Sequence, residues 1–161
     1  MRPTRLSLTL AFFAVTGLGA LGAARSGKAA EAAPSPIVKA PNYAIEAAPE
    51  GACKAGAACT VKLVLKAQNG YHVNKEYPYK LKLQDTAGVE FDGKDAAGKN
   101  VFSKAAGDLT LDTETQATLR VRLKAAKSGA FTLSGTFKLS VCSDKNCLLD
   151  TADVSIPVAV Q

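Results

Sequence analysis

Two closely spaced pairs of cysteines are the residues of this chain most suited to chemistry. Cys142 and Cys147 are separated by four turn-forming residues, 143–146 (SDKN). Residues 136–142 and 154–160 on either side alternate apolar and polar side chains, which is the pattern of half-buried strands. The segment therefore predicts a β-hairpin with a cysteine at each end of its loop.

A disulfide between Cys142 and Cys147 would be easy to form in such a hairpin. Directly opposed residues of antiparallel strands have Cα atoms about 4.5–5.5 Å apart, within the span of a disulfide. A cross-strand bridge that is strained and exposed has a raised reduction potential, so this pair is a candidate for thiol–disulfide exchange. The alternative is a passive clip, the common role of cysteine pairs in small exported domains.

Cys53 and Cys59 form the second pair, and the second cysteine opens a strongly alternating strand at 59–67. In the chain-entropy model a local bridge here contributes about 2 kcal/mol, whereas a bridge to Cys142 or Cys147 contributes about 4–5 kcal/mol. Local pairs nevertheless close sooner and need no special fold geometry. We therefore predict Cys53–Cys59 as a structural staple beside Cys142–Cys147, with the other two connectivities as alternatives.

The first 24 residues have the layout of a secretory signal peptide. Arg2 and Arg5 form a short basic region, and residues 6–24 form an apolar segment that becomes rich in small residues. Cleavage after Gly22 or Ala32 is an alternative to cleavage after Ala24, and a retained membrane anchor is the other interpretation. Export, most simply to a bacterial periplasm, would place the cysteines in an oxidising compartment.

The rest of the chain predicts a linker and one all-β domain. Residues 25–41 are rich in Ala and Pro, as in a tether, and the domain is expected over 42–161. Asn69-Gly70 is a strong hairpin-turn signal, with a return strand expected at 71–74. About seven or more short strands, without a convincing helical period, indicate an immunoglobulin-like β-sandwich, although the chain has no tryptophan.

Composition and motifs argue against several other functions. Without Arg2 and Arg5 the chain has 18 basic and 14 acidic side chains, scattered rather than clustered, so nucleic-acid binding is not expected. His72 is the single histidine and has no catalytic motif around it, so a surface or core histidine is the default interpretation. With one histidine and only Met1, copper is not expected, and the cysteine spacings are too wide for most zinc sites. We expect no metal and no small-molecule cofactor.

Side-chain parity suggests which cysteine a partner would reach. Cys142 shares the polar parity of its strand and has Lys145 nearby, whereas the apolar pair Leu148-Leu149 suggests that the chain after Cys147 returns towards the core. The pattern favours Cys142 as the accessible member, although a one-residue bulge would invert this argument. The nearby tyrosines are expected to pack on a sheet face or to shield a reactive disulfide: Tyr71, Tyr77 and Tyr79.

Taken together, these residues resemble the amino-terminal periplasmic domain of the DsbD-type thiol:disulfide interchange protein. The resemblance covers about residues 43–158 and rests on the late SVCSDKNCLL hairpin, the GYHVNKEYPYKLKL segment and the signal-like N-terminus. It implies an immunoglobulin-like sandwich in which Cys142 and Cys147 are the redox-active pair. It also implies thioredoxin-like periplasmic oxidoreductases as partners, and a separate membrane electron conduit as a possible donor.

Two functions follow from this reading. The first is an exported domain that passes electrons between periplasmic redox partners through the Cys142–Cys147 dithiol/disulfide. The alternative is a non-catalytic immunoglobulin-like interaction module in which both disulfides are structural. Cys53 and Cys59 do not belong to the family pattern and are interpreted as structural in both cases.

Overall fold

Residues 35–161 are described by a computed structural model and form β-strands without any helix. The expected signal peptide, 1–24, lies outside the described residues, as do residues 25–34 of the expected linker. Within 35–161 there is consequently no helix that could cross a bilayer. The strands are β1 (Ser35–Lys39), β2 (Tyr43–Pro49), β3 (Ala58–Ala67), β4 (His72–Val73), β5 (Lys80–Leu83), β6 (Val89–Phe91), β7 (Asn100–Ser103), β8 (Leu109–Leu111), β9 (Gln116–Ala125), β10 (Gly129–Cys142) and β11 (Cys147–Val160).

The strands form two antiparallel sheets. The first has the order β1-β2-β3-β9-β6, with β8 also paired to β9, and the second has the order β11-β10-β5-β7, with β4 also paired to β10. Alternate residues of both sheets bury their side chains in one shared hydrophobic core. In β9 the apolar positions of this alternation are almost fully buried: Ala117, Leu119, Val121 and Leu123. The predicted all-β sandwich is confirmed.

The longest pairing joins β10 and β11, which are in register from Gly129↔Val160 to Cys142↔Cys147. Phe137, Leu139 and Val141 have no exposed surface, and every second residue of β11 from Ala152 to Val160 is buried. The predicted hairpin is confirmed, because its period-two pattern matches a strand with one face on the core. The pairing places the two cysteines directly opposite each other.

The turn at Asn69-Gly70 forms as predicted, but it does not close a hairpin. Both residues have positive φ angles, 53° and 80°, as a tight turn of this kind requires. The return strand β4 is only two residues long and pairs with β10 of the second sheet rather than with β3. The edges of β3 are already occupied by β2 and β9, so the chain crosses to the other sheet.

Two further strands differ from the sequence pattern. β1 lies inside the segment predicted as a linker and pairs with β2, so the first sheet begins before the expected boundary at Asn42. β7 was not predicted, because four residues are too few to show a clear period. β7 completes the second sheet by pairing with β5.

Gly135 should be intolerant of any side chain, because it lies between two paired strands. A Cβ atom there would collide with the backbone carbonyl oxygen of Lys82 and would meet the Leu83 Cα at 3.0 Å. We expect Gly135→Ala to lower the free energy of unfolding by about 1–3 kcal/mol, since backbone cannot yield as a flexible side chain does. Denaturant unfolding would measure this, with Ser134→Ala as the control. A loss no greater than that of the control would contradict the prediction.

Candidate functional site

The two disulfides connect Cys53 to Cys59 and Cys142 to Cys147, as predicted. They lie at opposite ends of β11, which begins at Cys147 and reaches Cys53 at Val160. At about 3.3 Å per residue, the length of this strand separates the two pairs by roughly 40 Å. They can therefore serve different purposes without contact between them.

The Cys53–Cys59 loop fastens the end of the second sheet to the first. Cys53 is 2% exposed, and its carbonyl oxygen accepts a hydrogen bond from the Gln161 backbone N–H at 2.9 Å. The Gln161 carbonyl accepts one from Ala55 N–H at 2.8 Å, and the N–H of Gly56 donates to Ala125 of β9 at 2.8 Å. This loop is exposed at residues 54–58, but its buried Cys53 and its backbone contacts to both sheets give it the properties of a structural clasp.

The Cys142–Cys147 disulfide closes the other end, and its two residues differ in exposure. Cys147 is exposed, whereas Cys142 is only 6% exposed. Their Cα atoms lie 3.9 Å apart across the end of the hairpin. The expectation that Cys142 is the accessible member is therefore wrong, and a partner would reach the sulfur of Cys147.

Other residues cover the outer face of β10 next to Cys142. Parity does place it on the outward side with Ser140, yet Ser140 is completely buried. The Asn74 side-chain amide donates to Ser140 Oγ at 3.2 Å, and the Tyr79 hydroxyl donates to the Ser140 carbonyl at 2.6 Å. Strand β4 and the segment after it thus lie against this end of β10, which local periodicity could not predict.

The tyrosines divide between the core and the rim of this site. Tyr79 is completely buried, and this burial raises the pKa of its phenol above the usual value. Tyr77 packs edge-on against Tyr79 with ring centroids 5.2 Å apart, and is itself only half-buried. The Tyr71 hydroxyl lies 3.4 Å from Oδ1 of Asn146 in the hairpin loop. Two half-buried tyrosines therefore flank the disulfide end.

The loop between the cysteines is held by its own hydrogen bonds. Ser143 N–H donates to the Asn146 carbonyl at 2.7 Å, and Ser143 Oγ donates to Asn146 Oδ1 at 2.9 Å. Asp144 and Lys145 between them are exposed. The loop closes tightly and presents one charge of each sign to the solvent.

An exposed apolar side chain lies beside Cys147. Leu149 is 65% exposed and pairs with Ser140, so it projects from the same face of the sheet as Cys147. It lines a shallow depression of about 380 Å³, whose walls are Tyr77, Lys138, Leu149, Asp150 and Thr151. We predicted that the chain returns to the core at Leu148-Leu149, and for Leu149 this prediction is wrong.

His72 is brought to the site by the sheet. It is the residue of β4 directly opposite Cys142 on β10, and directly opposed residues of antiparallel strands project from the same face. No functional role for His72 was expected, because nothing within its own segment of sequence suggests a partner. Only the pairing of β4 with β10, some 70 residues later, places it beside a cysteine.

Within residues 35–161 no three His, Cys, Asp or Glu side chains lie close enough together to hold a metal ion. The fold and the site define an antiparallel β-sandwich with two local disulfides, one at each end. No protein-family model and no curated protein matches the chain.

Proposed function

We propose that this protein is a thiol–disulfide exchange domain in which Cys142–Cys147 is the redox-active pair. The observation that carries the proposal is the exposed Cys147 directly opposite the buried Cys142, since neither cysteine of the other pair is exposed. Exchange needs one sulfur that a partner thiolate can reach and a second that resolves the mixed disulfide. Cys147 meets the first requirement, and Cys142, held directly opposite it, meets the second.

The exchange proceeds in two steps. A partner thiolate attacks Cys147 Sγ, so a partner–Cys147 disulfide forms, the Cys142–Cys147 bond breaks and Cys142 leaves as a thiolate that takes up a proton. The partner's second thiolate then attacks the partner's sulfur in the mixed disulfide. The partner's own disulfide forms, and Cys147 leaves as a thiolate that takes up a proton. The partner loses two electrons and becomes a disulfide, while this domain gains two electrons and two protons. The reverse sequence oxidises the domain.

The partners that fit this chemistry are thioredoxin-like oxidoreductases. The resemblance to the DsbD amino-terminal domain supports them, and the signal-like residues 1–24 support export to a periplasm. A separate membrane protein is the donor that the same resemblance suggests. Leu149 provides an exposed apolar contact next to the reactive sulfur, at the edge of a depression that is otherwise mostly polar.

Mild dithiol should reduce the two disulfides at different rates. We expect Cys142–Cys147 to be reduced at least about tenfold faster than Cys53–Cys59, because Cys147 is exposed, whereas Cys59 is only half-buried and Cys53 is buried. Differential alkylation followed by peptide mass analysis would measure both rates in one sample. Equal resistance of the two pairs would favour the alternative, an interaction module in which both disulfides are structural.

A further inference from the structure

We infer that His72 stabilises and protonates the Cys142 thiolate when the disulfide opens. This inference rests on the proposed exchange function and adds a residue to it. The observation is the register of three neighbouring strands: β4, β10 and β11 present His72, Cys142 and Cys147 side by side in one row across the sheet. The row faces outward, away from the hydrophobic core.

The spacing of this row places an imidazole beside a sulfur. Directly opposed residues have Cβ atoms about 4.5–5.5 Å apart, so the side chains of His72 and Cys142 start within contact distance of each other. The other neighbours of Cys142 along its strand, Val141 and Ser143, do not titrate near neutral pH. Among the described residues, His72 is therefore the titratable side chain, besides Cys147, that the sheet register sets against Cys142.

The chemistry of Cys142 requires such a neighbour. When a partner attacks Cys147, the negative charge develops on Cys142, which is 6% exposed. A charge withdrawn from water is costly unless an opposite charge or a hydrogen-bond donor faces it. Imidazole ordinarily changes charge near neutral pH, so it can supply either a positive charge or a proton. His72 is itself exposed and can exchange that proton with solvent.

The His72 side chain takes part in no hydrogen bond or ion pair within residues 35–161. Two charged residues, Lys75 and Glu114, line a depression together with His72. Lys75 Nζ lies 3.9 Å from Glu114 Oε1. On the adjoining loop the exposed Asp144 and Lys145 have opposite signs. Each of these pairs carries one charge of either sign, and His72 is the group that the register sets directly opposite Cys142.

The ionisation of the Cys142 thiol tests the inference without any protein partner. In Cys147→Ser protein with Cys53–Cys59 intact, ultraviolet absorbance of the thiolate is followed against pH, with and without His72→Gln. A cation beside a thiolate lowers the thiol pKa, so removing it should raise the pKa of Cys142 by about one unit. Lys75→Gln is the matched control for loss of a nearby charge and should shift this pKa much less.

An unchanged Cys142 pKa in His72→Gln protein would overturn the inference, as would an equal shift in the Lys75→Gln control. His72 is exposed, and thermal unfolding of each variant would verify that the fold is retained. The outcome is separable from the proposed exchange function. A shifted pKa together with a disulfide that no dithiol protein reduces would support the pairing of His72 with Cys142 and reject exchange.

Discussion

Cys142→Ser protein is expected to trap a thioredoxin-like oxidoreductase as a stable mixed disulfide, and Cys147→Ser protein is expected to trap almost none. In the first variant the exposed Cys147 remains and no internal thiol can resolve the adduct. In the second variant the remaining Cys142 is only 6% exposed. The partner is a thioredoxin that keeps only its attacking cysteine, activated as a disulfide with a small aromatic thiol, so that Cys147 displaces this thiol and no second thiol can resolve the adduct. Non-reducing electrophoresis would measure the trapped fraction.

A small aromatic disulfide reagent that releases a coloured thiol provides a partner-free version of this measurement. We expect Cys147 in Cys142→Ser protein to react at least about tenfold faster than Cys142 in Cys147→Ser protein, because thiol reactivity follows access as well as thiolate fraction. Cys53→Ser and Cys59→Ser are the controls for the other pair. Trapping by these controls alone would show that the active pair is misassigned, and trapping by no variant would favour the interaction module.

Leu149→Glu is expected to slow exchange with a protein partner by about tenfold or more, while reduction by a small dithiol changes little. The side chain is 65% exposed and adjoins Cys147 on the outward face, so a partner that reaches this sulfur must cover it. Loss of a residue that anchors the centre of an interface costs about 2 kcal/mol or more, and about 1.4 kcal/mol is already a factor of ten in rate or affinity. Stopped-flow measurement of exchange with a reduced thioredoxin would give the rate.

Ala159→Glu is the matched control for this substitution. Ala159 is exposed on the same strand and the same outward face, at the end near the Cys53–Cys59 clasp. The Ala159→Glu substitution makes the same change of charge at roughly 40 Å from Cys147. This distance is well beyond the screening length of about 10 Å at ordinary salt. If both variants slow exchange equally, the effect is one of net charge, and Leu149 is not part of a docking surface.

Several features of this protein could be predicted from its sequence because they depend on local patterns. Alternation in 136–142 and 154–160 predicted the strands of the long hairpin, and the four polar residues 143–146 predicted its loop. The pairing of each cysteine with its near neighbour followed from the short distance along the chain. These features require only a strand with one buried face and a tight turn, and both are encoded within a few residues.

The exposure of the two cysteines and the place of His72 were decided by the tertiary structure alone. Parity shows that Cys142 faces outward, but an outward residue is buried when another segment lies over it. Here β4 crosses from the turn at 69–70 to β10 because both edges of β3 are occupied, and this crossing places a strand beside Cys142 and sets His72 opposite it. Such long-range pairing depends on which sheet edges the whole chain leaves open, so no local pattern contains it.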